Sequence, residues 1–464
     1  MPAVTALPDI AETPRVETLI EAARALARQG ADEPAKRAYL DALRRDPTSL
    51  PALLELARLA LRSGHRSAAR TAYEQAIFCH PADPVARANL GDLMIENAEF
   101  EAARTQFEAA VAAAPGLAAA HQGLARVLTA LGDPAAAEPH WRAGLAAGAL
   151  AMQPYAGAGQ GIRLLVLVSA RGGNIPTRAL LDDTVFAVTA LYADRHDQAA
   201  PLPPHAVILN AIGDADLCGA ALAGACAVVE KSGAPVINAP ARVIDTGRAA
   251  VARRLAGLPD VIVPDVSPVA RDEIPQRRFS FPMLFRSPGY HTGQHFVRVE
   301  QAHDLAAAIA DLPGETLLAI APLETLGPDG RHRKHRAMLI GGQVFPLHMA
   351  ISRDWKVHYF SADMAADEAL RAEEAAFLAD MPAVVGSRAV RALHAIAREL
   401  ALDYAGVDFA VAPDGRLMLF EANAGMVIAP PGPEPIWDYR RAPIKRALAA
   451  VKALILAKAG SDWR

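Results

Sequence analysis

The residues best suited to chemistry in this 464-residue chain lie in one short stretch, 407–424, which reads VDFAVAPDGRLMLFEANA. It is an apolar hairpin pattern interrupted by Asp408, Glu421 and Asn423. Pro-Asp-Gly chemistry favours a tight turn at 413–416. A four-residue turn there sets residue 412 opposite 417 and, by the same register, Asp408 opposite Glu421. Alternation along a strand puts Glu421 and Asn423 on one face, so three oxygen donors converge. Phe409, Val411, Met418 and Phe420 are expected on the other face, against a core. Two carboxylates and an amide oxygen suit a hard cation such as Mg²⁺, which takes oxygen ligands and usually shares them with phosphates.

The elements that position such a hairpin are readable upstream. Segment 162–170 is a continuous apolar run of buried-strand type, 180–193 reads as a helix, and 205–212 reads as a second strand. A helix at about 215–232 and a short strand at 234–238 complete an α/β unit. From about 280 the pattern changes to antiparallel strand pairs mixed with helices, an α+β region. Helix 391–402 precedes the hairpin and is expected to back it.

The first third of the chain repeats itself. A 34-residue period starting at Val16, Leu50, Pro84 and Ala118 aligns small and apolar residues four times. The third copy shows Leu90, Gly91, Met94, Ala103, Phe107, Ala110 and Pro115, and Tyr39, Tyr73 and Trp141 occupy the aromatic position of the others. Small residues let two helices approach, an aromatic fills the gap, and proline ends the second helix. The spacing resembles tetratricopeptide repeats, which implies four stacked helix pairs at 16–150. A Gly/Ala/Pro-rich linker is expected at 151–161, an α/β domain at 162–270 and the remaining region at 271–460. The fold class expected is therefore multidomain: an all-α repeat solenoid followed by α/β and α+β parts.

The hairpin and what precedes it resemble the ATP-grasp superfamily, whose last motif is an Asp, an Asp-Gly turn and Glu-x-Asn. The likeness spans roughly 162–450 and is closest to the group containing the ribosomal-protein glutamate ligase and the glutathione synthetases. It implies that Asp408, Glu421 and Asn423 hold one or two Mg²⁺ ions, with Mn²⁺ an acceptable substitute, on the phosphates of ATP. In FSFPMLFRSPGYHTGQHFVRV (279–299), Arg286 stands where the family generally has a phosphate-binding Lys, a departure that changes a point charge to a fork. The loop at 287–294, with Gly289 and Gly293, would close over the phosphates through backbone N–H groups. Arg248 falls near another basic nucleotide contact. Leu323, in the segment 317–324, matches the hinge that reads the adenine edge, because Pro322 has no N–H to offer.

In 330–352, Arg336 matches the family's basic residue before a strand pair turned at Gly341-Gly342, which leaves Arg331, Arg333 and Lys334 as loop charges. Arg353 and Lys356 follow that pair, where the family places phosphate or acyl-phosphate contacts; a plain surface charge is an equal reading for both. The chemistry implied is phosphorylation of a carboxylate by ATP, followed by displacement of phosphate by an amine. Such chemistry runs on positioning and charge neutralisation, without a nucleophilic Ser or Cys. His291, His348 and His358 are weighed as bases against a structural role. Trp437, Tyr439 and Arg440 lie just after the motif and are placed at an acceptor pocket.

Arg24, Arg58 and Arg126 recur at the groove-facing position of the repeats, with Asp92 in the third copy and Asn89 beside it. A row of guanidinium groups suits an acidic peptide or protein tail; pairing with Glu21 and Glu55 is the competing reading. A second copy of the chain is also a candidate partner. The ligase reading stands against a nucleotide-binding adaptor whose repeats are the working surface, and against a phosphotransferase, which needs a phosphocarrier domain not visible in the sequence.

Composition narrows the classes. A formal net charge of −4 offers no basic surplus for nucleic acid. Three cysteines without a CxxC spacing argue against a disulfide framework or structural zinc, and a reducing cytosol is the expected location. The first residues lack a secretory pattern, and no window of 18 uncharged apolar residues predicts a membrane span.

Overall fold

The computed structural model describes residues 15–146, 148–157, 159–290, 293–358, 362–432 and 434–460. The chain divides into two compact units, the first comprising 1–146 and 155–161 and the second 147–154 and 162–464.

The first unit is a helical repeat. Its helices are α1 (Val16–Arg28), α2 (Asp32–Arg45), α3 (Leu50–Arg62), α4 (Arg66–Cys79), α5 (Pro84–Glu96), α6 (Phe100–Ala113), α7 (Ala118–Ala130) and α8 (Pro134–Gly144). Odd and even helices each begin at 34-residue intervals, the period seen in the sequence. Tyr39, Tyr73, Phe107 and Trp141 are all buried. The Phe107 ring explains the small residues around it: a Cβ on Gly91 would come within 2.7 Å of the ring, and one on Gly123 within 2.0 Å. Any larger side chain at either position would push neighbouring helices apart.

The second unit holds three sheets. In the first, β1 (Leu150–Met152), β3 (Phe186–Tyr192), β2 (Ile162–Val168), β4 (Val207–Asn210) and β5 (Val236–Ile237) lie in that order, all parallel except β1, which pairs antiparallel with β3. Helix α9 (Gly219–Ser232) connects β4 to β5 and ends at Gly233 in the left-handed conformation. Two sequence expectations are corrected here. The segment 180–193 is a strand at its core, because Phe186, Val188 and Ala190 alternate into the interior and the run is β-branched and aromatic. The predicted linker at 151–161 begins inside β1, which is hydrogen-bonded at the sheet edge.

The short helices α10 (Pro240–Val243) and α11 (Arg248–Leu255) lead to the other sheets. β7 (Val266–Ala270), β10 (Thr316–Ile320), β8 (Met283–Arg286) and β9 (Phe296–Val299) form an antiparallel four-stranded sheet, with α12 (Leu305–Ile309) between β9 and β10 in sequence. The third sheet runs β12 (Gln343–Ser352), β11 (His332–Ile340), β13 (Tyr404–Val411), β14 (Leu417–Asn423) and β6 (Val261–Ile262). Strands 261–262 and 266–270 thus pair with later strands, so the expected boundary at 270 falls beyond where the α/β unit ends. Helices α13 (Glu368–Ala379), α14 (Met381–Leu400) and α15 (Asp438–Lys458) complete the unit. Phe377, Leu393, Val407, Phe409 and Leu419 share one core, which makes the third sheet a rigid platform for residues on its other face.

Candidate functional site

The hairpin β13–β14 places Asp408 directly opposite Glu421 and Gly406 opposite Asn423. The route to that register differs from simple alternation. The turn closes one residue tighter, with Val411 opposite Leu417 and the Ala412 amide donating to the Arg416 carbonyl at 2.9 Å. A bulge between Asp408 and Phe409 then absorbs Phe420 as an extra residue and restores the pairing. The predicted core face is corrected in consequence. Phe409 and Val411 join the main core with Leu417 and Leu419, whereas Met418 and Phe420 pack on the opposite side with Ala410, Ala412, Ile262 and Leu323.

Asp408 is buried and doubly held. Arg336 forks onto it, Nε donating to Oδ1 at 2.6 Å and Nη2 to Oδ2 at 2.9 Å. Lys334 Nζ lies 3.1 Å from Oδ2. Burial alone would raise the Asp408 carboxyl; the two cations outweigh it and hold it well below the usual carboxylate range. Strand β11 supplies both cations because Lys334 and Arg336, two residues apart, share a face, and Arg336 pairs in register with Asp408. Sequence reasoning assigned Lys334 to a loop; the i, i+2 spacing with Arg336 on a strand is the signal that would have placed it.

Glu421 is the second focus. Arg248 Nη2 donates to its Oε1 at 2.6 Å, and Asn423 Nδ2 donates to the same atom at 2.5 Å. Asn423 Oδ1 accepts from the Gly425 amide at 2.9 Å. Arg248 opens α11, and its own amide donates to Asp216 Oδ2 at 3.1 Å. The loop after β4, carrying Asp214 and Asp216, is brought against this end of the hairpin because a Cβ on Gly213 would sit 2.4 Å from the Gly425 Cα. Neither aspartate was singled out from sequence.

Arg286, at the end of β8, is buried, lies over the Phe296 ring at 5.3 Å and donates through Nη2 to the Tyr290 carbonyl. Its Nε is buried without a hydrogen-bond partner. Burial, then the nearby Arg248 charge, brings its guanidinium down to about 10, against the pull of Glu421, Asp214 and Asp216.

The loop after β8 has Gly289 and Gly293 at φ +76 each, where a side chain would be strained. Lys356 does not point at the cluster: its Nζ donates to the carbonyls of Gly293 and Phe296, both at 3.3 Å, and so straps the loop down. The Trp355 ring stands against Phe296 at 5.3 Å and adds to that strap. Arg353 is exposed. Leu323 lies just beyond β10 and closes the apolar patch beside Phe420 and Ile262. His348 is buried and kept neutral, its imidazole pushed well below the ordinary value by burial and by Arg336. His358, half-buried, is lowered by burial and by Lys334. His291 lies outside the described residues.

Tyr439 and Arg440 turn inward, contrary to expectation. The Tyr439 hydroxyl donates to Glu374 Oε2 at 2.6 Å, and Arg440 Nε lies 3.2 Å from Glu374 Oε1 in a buried ion pair. They brace α15 against α13, with Trp437 under the Arg440 guanidinium at 5.8 Å.

Chemically, two carboxylates and an amide on paired strands suit a Mg²⁺ ion, and Asp408 Oδ1 and Oδ2, Glu421 Oε1 and Asn423 Oδ1 each already accept a hydrogen bond or ion pair from the protein. Among the described residues no group of three or more His, Cys, Asp and Glu is gathered for a metal. A metal at the hairpin would therefore take Asp408, Glu421 and Asn423 and complete its shell from phosphate and water.

In the repeat unit the three groove arginines are paired. Arg24 and Arg58 reach Glu55 at 3.4 and 3.7 Å, and Arg126 is bonded to Asp92. The carboxylate-pairing alternative thus holds for Glu55.

No family model matches the chain, and no curated protein matches it. Solved structures resemble its N-terminal part. A crystal structure of MamA is 22% identical over 27% of this chain and 72% of its own, with a TM-score of 0.26. MamA from Desulfovibrio magneticus RS-1 is 22% identical over 28% and 74%, with a TM-score of 0.26. A tetratricopeptide repeat protein from Parabacteroides merdae ATCC 43184 is 21% identical over 28% and 53%, with a TM-score of 0.27. Likenesses of this size carry no argument of their own, and the repeat assignment rests on the helices. No helix among the described residues is long and apolar enough to cross a membrane.

Proposed function

We propose that this chain is an ATP-dependent carboxylate–amine ligase of ATP-grasp type. The observation that carries the reading is the pairing of Asp408 with Glu421 beside Asn423, under a canopy of Arg336, Lys334, Arg248 and Arg286. An apolar patch of Ile262, Leu323, Met418 and Phe420 borders it, a surface suited to a nucleobase next to a surface suited to polyphosphate.

In the reaction, a carboxylate oxygen attacks the terminal phosphorus of ATP and ADP departs; the amine then attacks the acyl carbon, phosphate leaves, and the amine proton passes to solvent or phosphate. Mg²⁺ would supply charge neutralisation at the phosphates. The chain's own part is electrostatic: Arg336, Lys334, Arg248 and Arg286 face the charge that develops on the transferred group, at partly buried positions where such contacts are stronger than in water. Lys356, bonded to the carbonyls of Gly293 and Phe296, fixes the part of the loop after β8 that lies nearest β9. The repeat unit is the part suited to a peptide or protein partner, since stacked helix pairs offer an extended surface.

One observation favours a second reading, nucleotide binding without ligation: Arg286 is tied to Tyr290 and Phe296 where the resemblance calls for a Lys that reaches the phosphates. Calorimetric titration with a non-hydrolysable ATP analogue and Mg²⁺, followed by a phosphate-release screen over carboxylates and amines, separates the two. Binding with release supports the ligase; binding without release for any pair supports the adaptor.

A further inference from the structure

Asp408 is the best oxygen donor in the cluster, yet both its oxygens are committed: Oδ1 to Arg336 Nε at 2.6 Å, Oδ2 to Arg336 Nη2 at 2.9 Å and to Lys334 Nζ at 3.1 Å. The Asp408 side chain is 4% exposed, Lys334 16% and Arg336 22%, so the three charges hold one another at a site largely shielded from water. Around them the charges balance. Lys334, Arg336, Arg248 and Arg286 stand against Asp408, Glu421, Asp214 and Asp216, with His348 and His358 neutral. No net negative field draws in a bare dication.

A divalent cation arriving alone would have to sit beside two partly buried cations already paired with Asp408, or displace them and leave them unpaired, and either course is unfavourable. A polyphosphate changes the balance, because its oxygens accept the hydrogen bonds that Lys334 and Arg336 give up. We propose that Lys334 and Arg336 lock Asp408, so that the site takes its divalent metal only together with a polyphosphate, with Lys334 passing from carboxylate to phosphate as it opens. Lys334 is thereby a positioning residue for Asp408 before binding and a phosphate contact after it. The inference rests on the nucleotide-site reading above.

The test uses Mn²⁺ and the full chain, with free Mn²⁺ followed by electron paramagnetic resonance. With Mn²⁺ alone the wild type binds the ion weakly, with half-saturation in the millimolar range. With the Mn²⁺ chelated by the analogue in a protein-free control subtracted, adding a non-hydrolysable ATP analogue tightens Mn²⁺ binding to the chain about 100-fold, the upper range of coupling between two ligands. Lys334→Met opens the lock: Mn²⁺ alone then binds about 10-fold tighter than to wild type, while affinity for the analogue drops by a similar factor, one elementary charge lost from the phosphate contact. Lys334→Gln, which keeps a donor toward Asp408, moves both in the same directions by less. Wild type that binds the analogue and also binds Mn²⁺ equally well without it overturns the lock and leaves the nucleotide site standing. Lys334 variants indistinguishable from wild type in both titrations overturn it too. Failure to bind the analogue under any condition removes the nucleotide reading and the lock with it.

Discussion

The repeat unit and the hairpin unit both pair arginine with carboxylate, and they do so at different depths. In the repeats, Arg24 and Arg58 meet Glu55 with 43% and 35% of their side chains exposed. Such pairs contribute about 0–1 kcal/mol, and they tune a surface without demanding one. At the hairpin, Asp408 is 4% exposed beneath two cations. Burying three charges together is a poor way to stabilise a sheet, since apolar residues of similar volume would do as well or better. The contrast separates exposed ion pairs on a solenoid from a buried cluster whose charges the proposed reading assigns to binding.

The largest expected effect breaks the second half of that comparison. Asp408→Ala leaves Arg336 and Lys334 unpaired at a half-buried site and costs about 3–5 kcal/mol, read by hydrogen exchange as lost protection in β11 and β13 with the repeat helices unchanged. Phe107→Ala is the counterpart in the repeats. Emptying the space between Gly91 and Gly123 costs about 3–5 kcal/mol and loosens α5–α7 while the sheets keep their protection.

Acid sharpens the comparison further. His335 is buried between the Phe377 and Phe409 rings, and burial lowers its imidazole from 6.5 to about 4. Between those values the unfolded chain holds the extra proton, so stability falls as pH drops from 6.5 and levels off below 4, by about 3 kcal/mol in all. His335 thereby lowers the stability of the second unit at pH 5 relative to pH 7, and wild type loses more melting temperature over that interval than His335→Leu does. The smallest effect is at the surface: Arg58→Ala changes urea stability of the repeats by less than about 1 kcal/mol, and salt abolishes the difference.

The repeat frame was legible because one spacing recurs four times and sets a buried aromatic in each repeat, Tyr39, Tyr73, Phe107 and Trp141. The pairing of Asp408 with Glu421 was legible from turn chemistry and alternation, but its register rests on two departures that cancel, a tighter turn and the bulge at Phe420. Bulges leave no mark in the alternation, so the core face was misassigned. Segment 180–193 misled because its Ala and Leu content suits a helix, although its β-branched and aromatic residues and the burial of Phe186, Val188 and Ala190 mark a strand. Asp214 and Asp216 escaped notice for a different reason. Their part in the site comes from which loop lies beside the hairpin, and a linear sequence does not carry that. Tyr439 and Arg440 were close to the motif in sequence and turned out to brace helices instead.

The central claim is that the hairpin is a metal–nucleotide site. Its most direct test is calorimetric titration of a non-hydrolysable ATP analogue with Mg²⁺ into wild type, Asp408→Asn and Glu421→Ala. The account predicts saturable, Mg²⁺-dependent binding to wild type that both substitutions abolish while circular dichroism stays unchanged. Absence of binding to a folded wild type, or binding that ignores both substitutions, would contradict it.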